Sequence, residues 1–526
     1  MDKNILGFLE GQNKEISVLS KRMNLAYLDA IISGKVELYK KYEECALGVE
    51  EYFHNKKNFE LIKKYLKENI SNEIIKRQLE LLYRTYLGSQ GDIKLAKKII
   101  EKSTEIEKKF NTFRANVDGK EYTDNQIKDV LRTETDSEKL KKFWEASKKQ
   151  AEAVNKELIV LVELRNELAK SLGYKNYFEM SLDLNEQKEK DIDEIFSELY
   201  KKSEKAFSGI KNEIDEFLMK KYKVSEMKPW HYQDLFFQEA PKIYEINLDD
   251  YYKTDILEKA KKFYDAVGVD VRDILDKSDL YEKEGKYQHA CCMDVDSEGD
   301  VRIVENVKND EYWMKTTLHE LGHGIYDKYM DFKLPFILRG YNHIFVTEAI
   351  ALFFERNSNS LKFIKKFGDL KKIDEDEITK TTKKILQIEE LVFLRWAQVM
   401  YYFEKELYKN PRQDLNKLWW EMVGKYQKLN FSRDKPDWAS KIHFVSSPVY
   451  YQNYLLGKIL VSQLKVYINK NILKKEKNNY YGDKRVGEYL KKNIFVQGKK
   501  VPWNILIENA TGEKLTAKYF VKEFCE

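Results

Sequence analysis

The sequence is short of proline, glycine and cysteine for its 526 residues. Its 7 prolines and 22 glycines are too few for a sheet-rich architecture that turns the chain tightly many times. No proline precedes Pro229, and a proline-free stretch of this length is typical of long, uninterrupted helices. The scarcity of both residue types therefore predicts a mainly α fold.

Cysteine is too scarce for a disulfide framework. The chain has 4 cysteines, two of them adjacent at Cys291 and Cys292, and no Cys-x-x-Cys motif. The first residues contain no apolar run of signal-peptide length, and no segment approaches the roughly 18–20 apolar residues of a membrane span. We therefore expect a cytoplasmic protein with reduced thiols and no membrane partner.

An excess of one charge sign is also missing. Lys and Arg number 93 and Asp and Glu 88, which gives a net charge of +5, and the two signs are interleaved along the chain. Such interleaving is typical of solvated helix faces rather than of a nucleic-acid surface. Hydrophobic residues make up 42% of the chain and charged residues 34%, a balance that supports a large core and excludes wholesale disorder.

The chain does contain strong helical periodicity. Apolar residues recur at helical spacing almost throughout residues 12–228, and the pattern resumes after residue 310. Between these parts, residues 285–294 and 301–305 flank the turn signal Asp-Ser-Glu-Gly-Asp and predict a pair of strands. No Gly/Ser-rich or Pro-rich linker occurs, so we expect one compact unit with subdomains.

The most informative segment is the His-Glu-x-x-His motif at residues 319–323. Positions i and i+4 share one helix face, so His319 and His323 can direct ring nitrogens at one zinc ion. Glu320 projects about 100° around the helix, where it can hold a metal-bound water rather than the metal. The alternative is that two helix histidines stand four residues apart by chance.

A catalytic zinc needs a third protein ligand and an open fourth position. The longer motif with a third histidine fails here, because Tyr329 stands at that position. The apolar segment at residues 347–355 supplies Glu348 and, seven residues later, Glu355. We assign Glu348 to the metal and Glu355 to the contacts that support the ligands. A buried ion pair is the alternative for Glu348, and His343 is a weaker alternative ligand.

A second cluster of polar and aromatic residues follows Lys441 and His443. Peptide-bond hydrolysis at zinc passes through an oxyanion, which needs a preorganised donor such as a tyrosine hydroxyl. Tyr451 and Tyr454 are three residues apart, so one helical turn could present both hydroxyls. The alternative is an aromatic stripe of the core.

With these motifs the sequence resembles the angiotensin-converting-enzyme family of zinc peptidyl-dipeptidases, which are gluzincins. It resembles the thimet-type oligopeptidases more distantly. The resemblance runs from about residue 230 to 526 and covers residues 1–228 only in general helical character. It rests on separated blocks: His319–His323 with Glu348, His289-Ala290 with Asp294 and Asp300–Ile303, Asp234–Gln238 with Ile243-Tyr244, Lys441-x-His443, and Pro502-Trp503 with Ala510–Gly512 and Tyr519-Phe520.

The resemblance implies a two-lobed helical metallopeptidase with a deep central channel and a small antiparallel β-sheet beside the zinc helix. Residues 1–228 would form a helical lid and wall, and residues 229–526 the catalytic subdomain with one Zn²⁺ per chain. Together they would make a single peptidase unit over 1–526. The expected partners are short peptide substrates, because a channel excludes folded proteins.

The resemblance also implies roles for individual residues outside the zinc motif. His289 and the backbone of Ala290 would hold the peptide next to the scissile bond. Gln238 and Lys441 would bind the substrate's C-terminal carboxylate, and His443 would contact the substrate backbone.

In the family, a Tyr-x-x-Tyr pair follows the histidine. Its first tyrosine binds the terminal carboxylate and its second stabilises the oxyanion. Tyr451 and Tyr454 fit this pair if one residue is inserted after His443, and we prefer this assignment. Tyr450 fits without an insertion, but Asn453 then replaces the second tyrosine.

Two positions depart from the family pattern. Asn453 stands where chloride-dependent members carry Arg, which argues against chloride activation at that site. Leu352 stands where the family has Asp one turn after the ligand Glu, so His319 needs another acceptor. Glu355 resembles the acidic residue that thimet-type enzymes carry at its offset from the ligand.

The motifs and the resemblance together predict a zinc-dependent peptidase that releases C-terminal dipeptides from short peptides. Glu320 would act as general base toward a zinc-bound water. One alternative is an oligoendopeptidase of the thimet type that needs no C-terminal carboxylate. An alternative of another class is a non-catalytic helical binding protein with a vestigial metal site.

Overall fold

The structure is a computed structural model that describes residues 2–369, 374–474 and 482–526. It confirms the mainly α fold, with two small antiparallel sheets. The helices in the described ranges are α1 (Asp2–Ser33), α2 (Val36–Phe53), α3 (Lys56–Leu66), α4 (Glu73–Gly88), α5 (Ile93–Thr112), α6 (Asp124–Thr133), α7 (Ser137–Ser171), α8 (Tyr177–Leu184), α9 (Glu189–Tyr222), α10 (Ile256–Ala266), α11 (Arg272–Lys277), α12 (Glu311–Lys328), α13 (Ile344–Glu355), α14 (Leu361–Phe367), α15 (Glu375–Lys409), α16 (Leu415–Gln427), α17 (His443–Ser446), α18 (Tyr451–Tyr467), α19 (Arg485–Asn493), α20 (Trp503–Thr511) and α21 (Lys518–Phe524).

The chain divides into two compact units, each built from three separated segments. Unit 1 comprises Met1–Gln90, Ile246–Thr382 and Leu456–Tyr519. Unit 2 comprises Gly91–Glu245, Lys383–Leu455 and Phe520–Glu526. The predicted division at residue 228, with a helical lid and wall before it and a catalytic subdomain after it, concerns function and stays a prediction.

Unit 1 contains the His-Glu-x-x-His segment on α12. The helix is preceded by its N-cap, Asp310, whose side chain accepts a hydrogen bond from the backbone N–H of Trp313. Its buried face packs against α13, the most apolar helix of this unit. The two backbones meet at Gly322, where an added Cβ would lie 2.6 Å from the Cα of Ala351. Only a glycine allows this close approach.

The predicted strand pair forms in unit 1 and contacts α12. Strand β3 (Cys291–Asp294) pairs antiparallel with β4 (Val301–Val304), with Cys291 opposite Val304 and Asp294 opposite Val301. The first strand is shorter than the predicted segment at 285–294. Leu28 and Ile31 of α1 pack against Val295 and Val304, so the hairpin is fixed between α1 and α12.

Unit 2 contains a second hairpin that the sequence analysis missed. Its two strands, β1 (Ala115–Val117) and β2 (Lys120–Tyr122), pair antiparallel around the turn residues Asp118 and Gly119. Both turn residues have positive φ values, 52° and 83°, as a two-residue turn of type I′ requires. The sequence suggested only a break between helices at this point.

Long helices supply most of the unit 2 core. Helix α7 buries Leu158, Leu161 and Val162, which recur at the helical spacing seen in the sequence. In the described ranges of the whole chain, no helix is both long enough and apolar enough to cross a membrane.

Candidate metal centre

Helices α12 and α13 bring three potential metal ligands together in unit 1. The Nε2 atoms of His319 and His323 face each other at 3.2 Å. The carboxylate oxygens of Glu348 lie 3.9 Å from each of these nitrogens. One ligand atom from each residue falls within 4.8 Å of the others, and no second group of this kind occurs among the described residues.

Each histidine is held through the ring nitrogen that points away from this cluster. The Nδ1–H of His319 donates to Glu355 at 2.7 Å, and the Nδ1 of His323 lies 2.7 Å from the hydroxyl oxygen of Thr347, to which it donates in the tautomer that leaves Nε2 free for a metal. Both contacts fix the ring orientation and leave the two Nε2 atoms facing each other. The structure therefore places Glu355 next to a proposed ligand, as the sequence analysis expected. It also adds Thr347, which the analysis missed.

The carboxylates of this centre differ in their environments. Burial raises the pKa of Glu348 and raises that of Glu320 to about 7. Glu355 is also buried, but its hydrogen bond to His319 and the charge of Lys315, 3.3 Å away, hold its pKa well below the usual range. Glu355 is thus an anion that stabilises the protonated form of His319.

The pKa values of the two histidines are also shifted differently by their environments. Burial opposes protonation of His319, yet the contacts with Glu355 outweigh it and raise the pKa of His319 to about 9. Burial lowers the pKa of His323 well below its usual value, and the charge of His319 lowers it further. His323 is therefore a neutral imidazole that can donate a lone pair.

Strand β3 contacts the proposed general base. The backbone N–H of Cys292 hydrogen-bonds to the Glu320 carboxylate. His289 and Ala290 lie immediately before this strand in the same unit. His289 is exposed and its ring contacts Tyr287 at 5.2 Å. The link from β3 to Glu320 had no signal in the sequence, because a backbone donor carries no residue-type signature.

Six other predicted site residues form one cluster in unit 2. The Lys441 ammonium donates to the side-chain oxygen of Gln238, and its Nζ lies 5.5 Å from the ring centre of Tyr451. The Tyr451 ring contacts those of His443, at 4.9 Å, and Tyr454, at 5.5 Å.

The sixth member of this cluster is Tyr450. Its ring contacts Tyr454 at 5.0 Å. It precedes α18, whereas Tyr451 and Tyr454 stand on the first turn of that helix. Asn453, between them, is buried and accepts a hydrogen bond from Gln187 at 2.7 Å.

Burial sets the charge properties of the unit 2 cluster. It lowers the pKa of Lys441 to about 8. It lowers that of His443 to about 4, helped by the neighbouring Lys441 charge. The cluster thus holds one titratable cation and a neutral imidazole among hydroxyl donors.

Comparison with known proteins gives the family. The family model described as "Peptidase family M3" matches residues 130–526, most of the chain. The chain belongs to peptidase family M3. A second model, described as "Angiotensin-converting enzyme", matches residues 2–229. The predicted resemblance to gluzincin peptidases is confirmed, although the specific motifs after residue 230 fall under the M3 model.

The chain also resembles a curated protein at low sequence identity. Carboxypeptidase 1 of Bacillus subtilis (strain 168) is 25% identical over 248 residues, which is 42% of this chain and 49% of the relative. The chain thus spans about half the length of the curated relative that it matches.

The donor set of this M3 chain fits zinc. Two imidazole nitrogens and one carboxylate are the ligands of a catalytic zinc that keeps an open position. Two nitrogens bound tetrahedrally at the usual zinc distance lie about 3.3–3.4 Å apart, close to the observed separation of the Nε2 atoms. His343, the weaker alternative ligand, instead caps α13 by accepting from the N–H of Phe345.

Proposed function

We propose that this M3 chain is a zinc-dependent peptidase that hydrolyses short peptides and releases dipeptides from their C-termini. The observation that carries the zinc chemistry is the convergence of His319, His323 and Glu348 within one ligand sphere. The name of the Bacillus relative, a carboxypeptidase, supports cleavage from the C-terminal end.

His319, His323 and Glu348 would hold Zn²⁺, which supplies a Lewis acid for the scissile carbonyl and lowers the pKa of a water molecule. Glu320 would remove the proton from the attacking water and deliver it to the leaving amine. The hydrogen bond from the Cys292 N–H supports this role, because it orients the carboxylate. The β3 strand and α12 therefore position the base together.

The unit 2 cluster would recognise the substrate. A cation and neutral donors on one carboxylate suit the end of a peptide, and Lys441, Gln238 and Tyr451 make such a set. Tyr454 would donate to the oxyanion and His443 to the substrate backbone. These two roles, like those of His289 and Ala290, rest on the family resemblance.

The base assignment is tested with Glu320→Gln. We expect hydrolysis to fall by about 10²–10⁴-fold, because a positioned general base contributes roughly that factor. Zinc content, measured by elemental analysis, should stay at one ion per chain, because the ligands are intact. Glu284→Gln, an exposed carboxylate of the same unit, is the matched control and should keep full activity. Unchanged hydrolysis by the Glu320 variant would refute the base.

The mode of cleavage is tested with a peptide mixture in two forms, one with free C-terminal carboxylates and one amidated. Mass spectrometry of the products should show successive loss of two residues from the free acids, and much slower turnover of the amides. Equal cleavage of both forms at internal bonds would instead establish an oligoendopeptidase. Zinc content near zero and no cleavage of either form would establish a non-catalytic binding protein.

A further inference from the structure

A cavity of about 520 Å³ lies within unit 1, beside the elements that carry the metal centre. Its walls come from α1, α4, strand β3, the last turn of α12 and the loop that precedes α13. Asp327 lines it one helical turn beyond His323, so the two residues share a face of α12. Cys292, whose backbone N–H holds Glu320, lines it from β3.

The cavity contains two carboxylates without full hydrogen bonding. Asp327 is 6% exposed, and its Oδ1 atom has no hydrogen-bond partner among the described residues. Asp294, at the end of β3, accepts from the N–H of Ser297 through Oδ1, but its buried Oδ2 has no partner in that same set. Buried carboxylate oxygens without donors are costly, and a ligand that donates would remove the cost.

The cations near these carboxylates do not neutralise them. Arg339 lines the cavity, but its guanidinium is engaged by Glu298 and the carbonyl oxygen of Leu334. Lys499 also lines the cavity and its charge favours the ionised form of Asp327, yet burial and the charge of Asp294 outweigh it and raise the pKa of Asp327 well above its usual value. Burial, helped by the charge of Asp296, raises the pKa of Asp294 to about 6.

The remaining wall suits a short aliphatic chain. Apolar side chains line the cavity beside the two carboxylates: Met23, Phe53, Leu81, Leu82, Phe336 and Ile337. An aliphatic stem could pack against these side chains while its charged end reaches the carboxylates. Acidic groups together with apolar side chains are the complement of a lysine or arginine side chain, or of an N-terminal residue.

We propose that this cavity binds a positively charged group of the peptide substrate, an ammonium or a guanidinium, through Asp294 and Asp327. The chain would then be selective for peptides that carry a cation close to the scissile bond. This inference rests on the proposed peptidase function and adds a preference for one class of peptide.

The test compares three peptides of one length. The first is N-acetylated and neutral, with norleucine at the varied position; the second is acetylated with lysine at that position; the third has norleucine and a free N-terminus. The varied position is moved through the residues around the scissile bond. Binding is measured calorimetrically with the zinc-loaded Glu320→Gln protein, and kcat/KM with the wild-type protein.

We expect one of the charged peptides to bind and react about 10-fold or more better than the neutral one, as expected for charge-assisted hydrogen bonds. The lysine and free-amine peptides distinguish a side chain from the N-terminus as the source of the cation. Asp327→Asn and Asp294→Asn should bring this ratio close to one and leave the neutral peptide unaffected. Asp276→Asn, the same change at an exposed position of unit 1, should keep the ratio.

The test distinguishes a failure of the cation site from a failure of the proposed peptidase function. Cleavage of all three peptides at equal rates, or a ratio that survives both substitutions, would overturn the cation site and leave the peptidase standing. A charge preference in binding without any cleavage by the wild-type protein would support the site and overturn the peptidase. A loss on all three peptides alike in the Asp variants would point to a structural role and also overturn the site.

Discussion

The two histidines of α12 have different partners at Nδ1, and this difference has electrostatic consequences. His319 donates to a buried carboxylate, whereas His323 donates to a neutral hydroxyl. A carboxylate partner increases the basicity of a metal-ligating imidazole more than a hydroxyl does. The proposed centre therefore combines one strongly basic and one weakly basic imidazole.

The side chain of Lys441 combines burial with a chemical role. It is 7% exposed, contacts the rings of Phe236 and Trp396, and retains one oxygen partner, Gln238. Removal from water disfavours the charged form, so its pKa falls to about 8 from the ordinary 10.5. A carboxylate arriving at this side chain would restore the interactions that the ammonium lost on burial.

The pKa of Lys441 predicts a pH dependence of kcat/KM for peptides that have a free C-terminal carboxylate. The charged form of Lys441 predominates below its pKa and is lost as the pH rises through about 8. The ratio kcat/KM reports the free enzyme, so for free-acid peptides it should fall about tenfold between pH 7 and pH 9. C-terminal amides, which do not need the cation, should show no such fall. The measurement is kcat/KM against pH for matched acid and amide peptides.

Substitution of Lys441 measures the contribution of its ammonium group separately from that of the neighbouring side chains. Lys441→Met should reduce kcat/KM for acids by about 10–100-fold, the value of a charge-assisted contact, and should abolish the acid-specific pH dependence. Lys435→Met, at an exposed position of the same unit, is the control and should change neither. Equal losses on acids and amides would contradict the anchor.

At the residue level, spacing and composition were informative where one element carries the whole signal. The i, i+4 histidines could be predicted, and so could Glu348, because a carboxylate in an apolar helix needs a partner. Thr347 could not, because its contact with His323 depends on how α12 and α13 pack. The unpartnered Asp327 is equally invisible in sequence, since only the fold defines the cavity around it.

The packing of α12 against α13 depends on one small residue. Gly322 lies between His319 and His323, and its Cα faces the backbone of Ala351. The distance between Glu348 and the histidines is therefore set by a contact that any side chain would separate. Gly457 of α18 has a related role, since a Cβ there would lie 3.2 Å from the carbonyl oxygen of Phe345.

Gly322→Ala should damage both stability and metal binding. The new methyl group would meet backbone atoms that cannot rotate away, and overpacking of this kind costs about 1–3 kcal/mol. Zinc affinity should fall as well, because Glu348 would move from the histidines. Chemical denaturation and competition with a zinc indicator measure the two effects.

The control is Gly48→Ala in α2 of the same unit, where no atom lies within 4 Å of the added Cβ. Alanine there should stabilise the protein by about 0.5–1 kcal/mol, because glycine weakens a helix interior. Zinc affinity should not change. If Gly322→Ala instead behaved like this control, the close contact between the helices would not be what positions Glu348.

The elements show why one strand pair was predicted and the other was not. The β3–β4 hairpin was predicted because a five-residue turn signal precedes the apolar, β-branched residues 301–304. The hairpin at residues 115–122 has three residues in each strand, too few for an alternation to be recognised. Its Asp-Gly turn was the available signal.

At the scale of the whole molecule, each unit is assembled from segments that are distant in the sequence. The loop before α13 is held by the C-terminal segment of unit 1: the Asn342 side chain donates to the carbonyl oxygens of Gly498, at 3.0 Å, and Val501, at 2.7 Å. The ring of Trp503 contacts that of Phe345 at 5.1 Å. Sequence patterns do not reveal such long-range contacts, because no local signal marks them.

A chain that ends at Lys474 should therefore lose the zinc site although it keeps every proposed ligand. Without residues 485–519 the start of α13 loses its contacts with Gly498, Val501 and Trp503, so Glu348 would be held less firmly near the histidines. We expect zinc binding well below one ion per chain, measured by elemental analysis after gel filtration. Full-affinity binding by the shortened chain would contradict this dependence.

Trp503→Ala gives a milder form of the same experiment. Loss of a buried aromatic side chain costs about 3–5 kcal/mol, and zinc affinity should fall with it while the chain remains full-length. A decrease in stability with unchanged zinc affinity would separate the folding of unit 1 from the formation of its metal centre.

The three-segment construction of unit 1 also has a consequence for biosynthesis. During translation Glu348 is made 155 residues before Trp503, an interval of roughly 8–30 s at ribosomal rates of about 5–20 residues per second. Over that interval the nascent chain exposes the apolar surface of α13 and carries metal ligands that are not yet held together. The proposed zinc ligands would therefore be held together only once the segment around Trp503 has emerged from the ribosome.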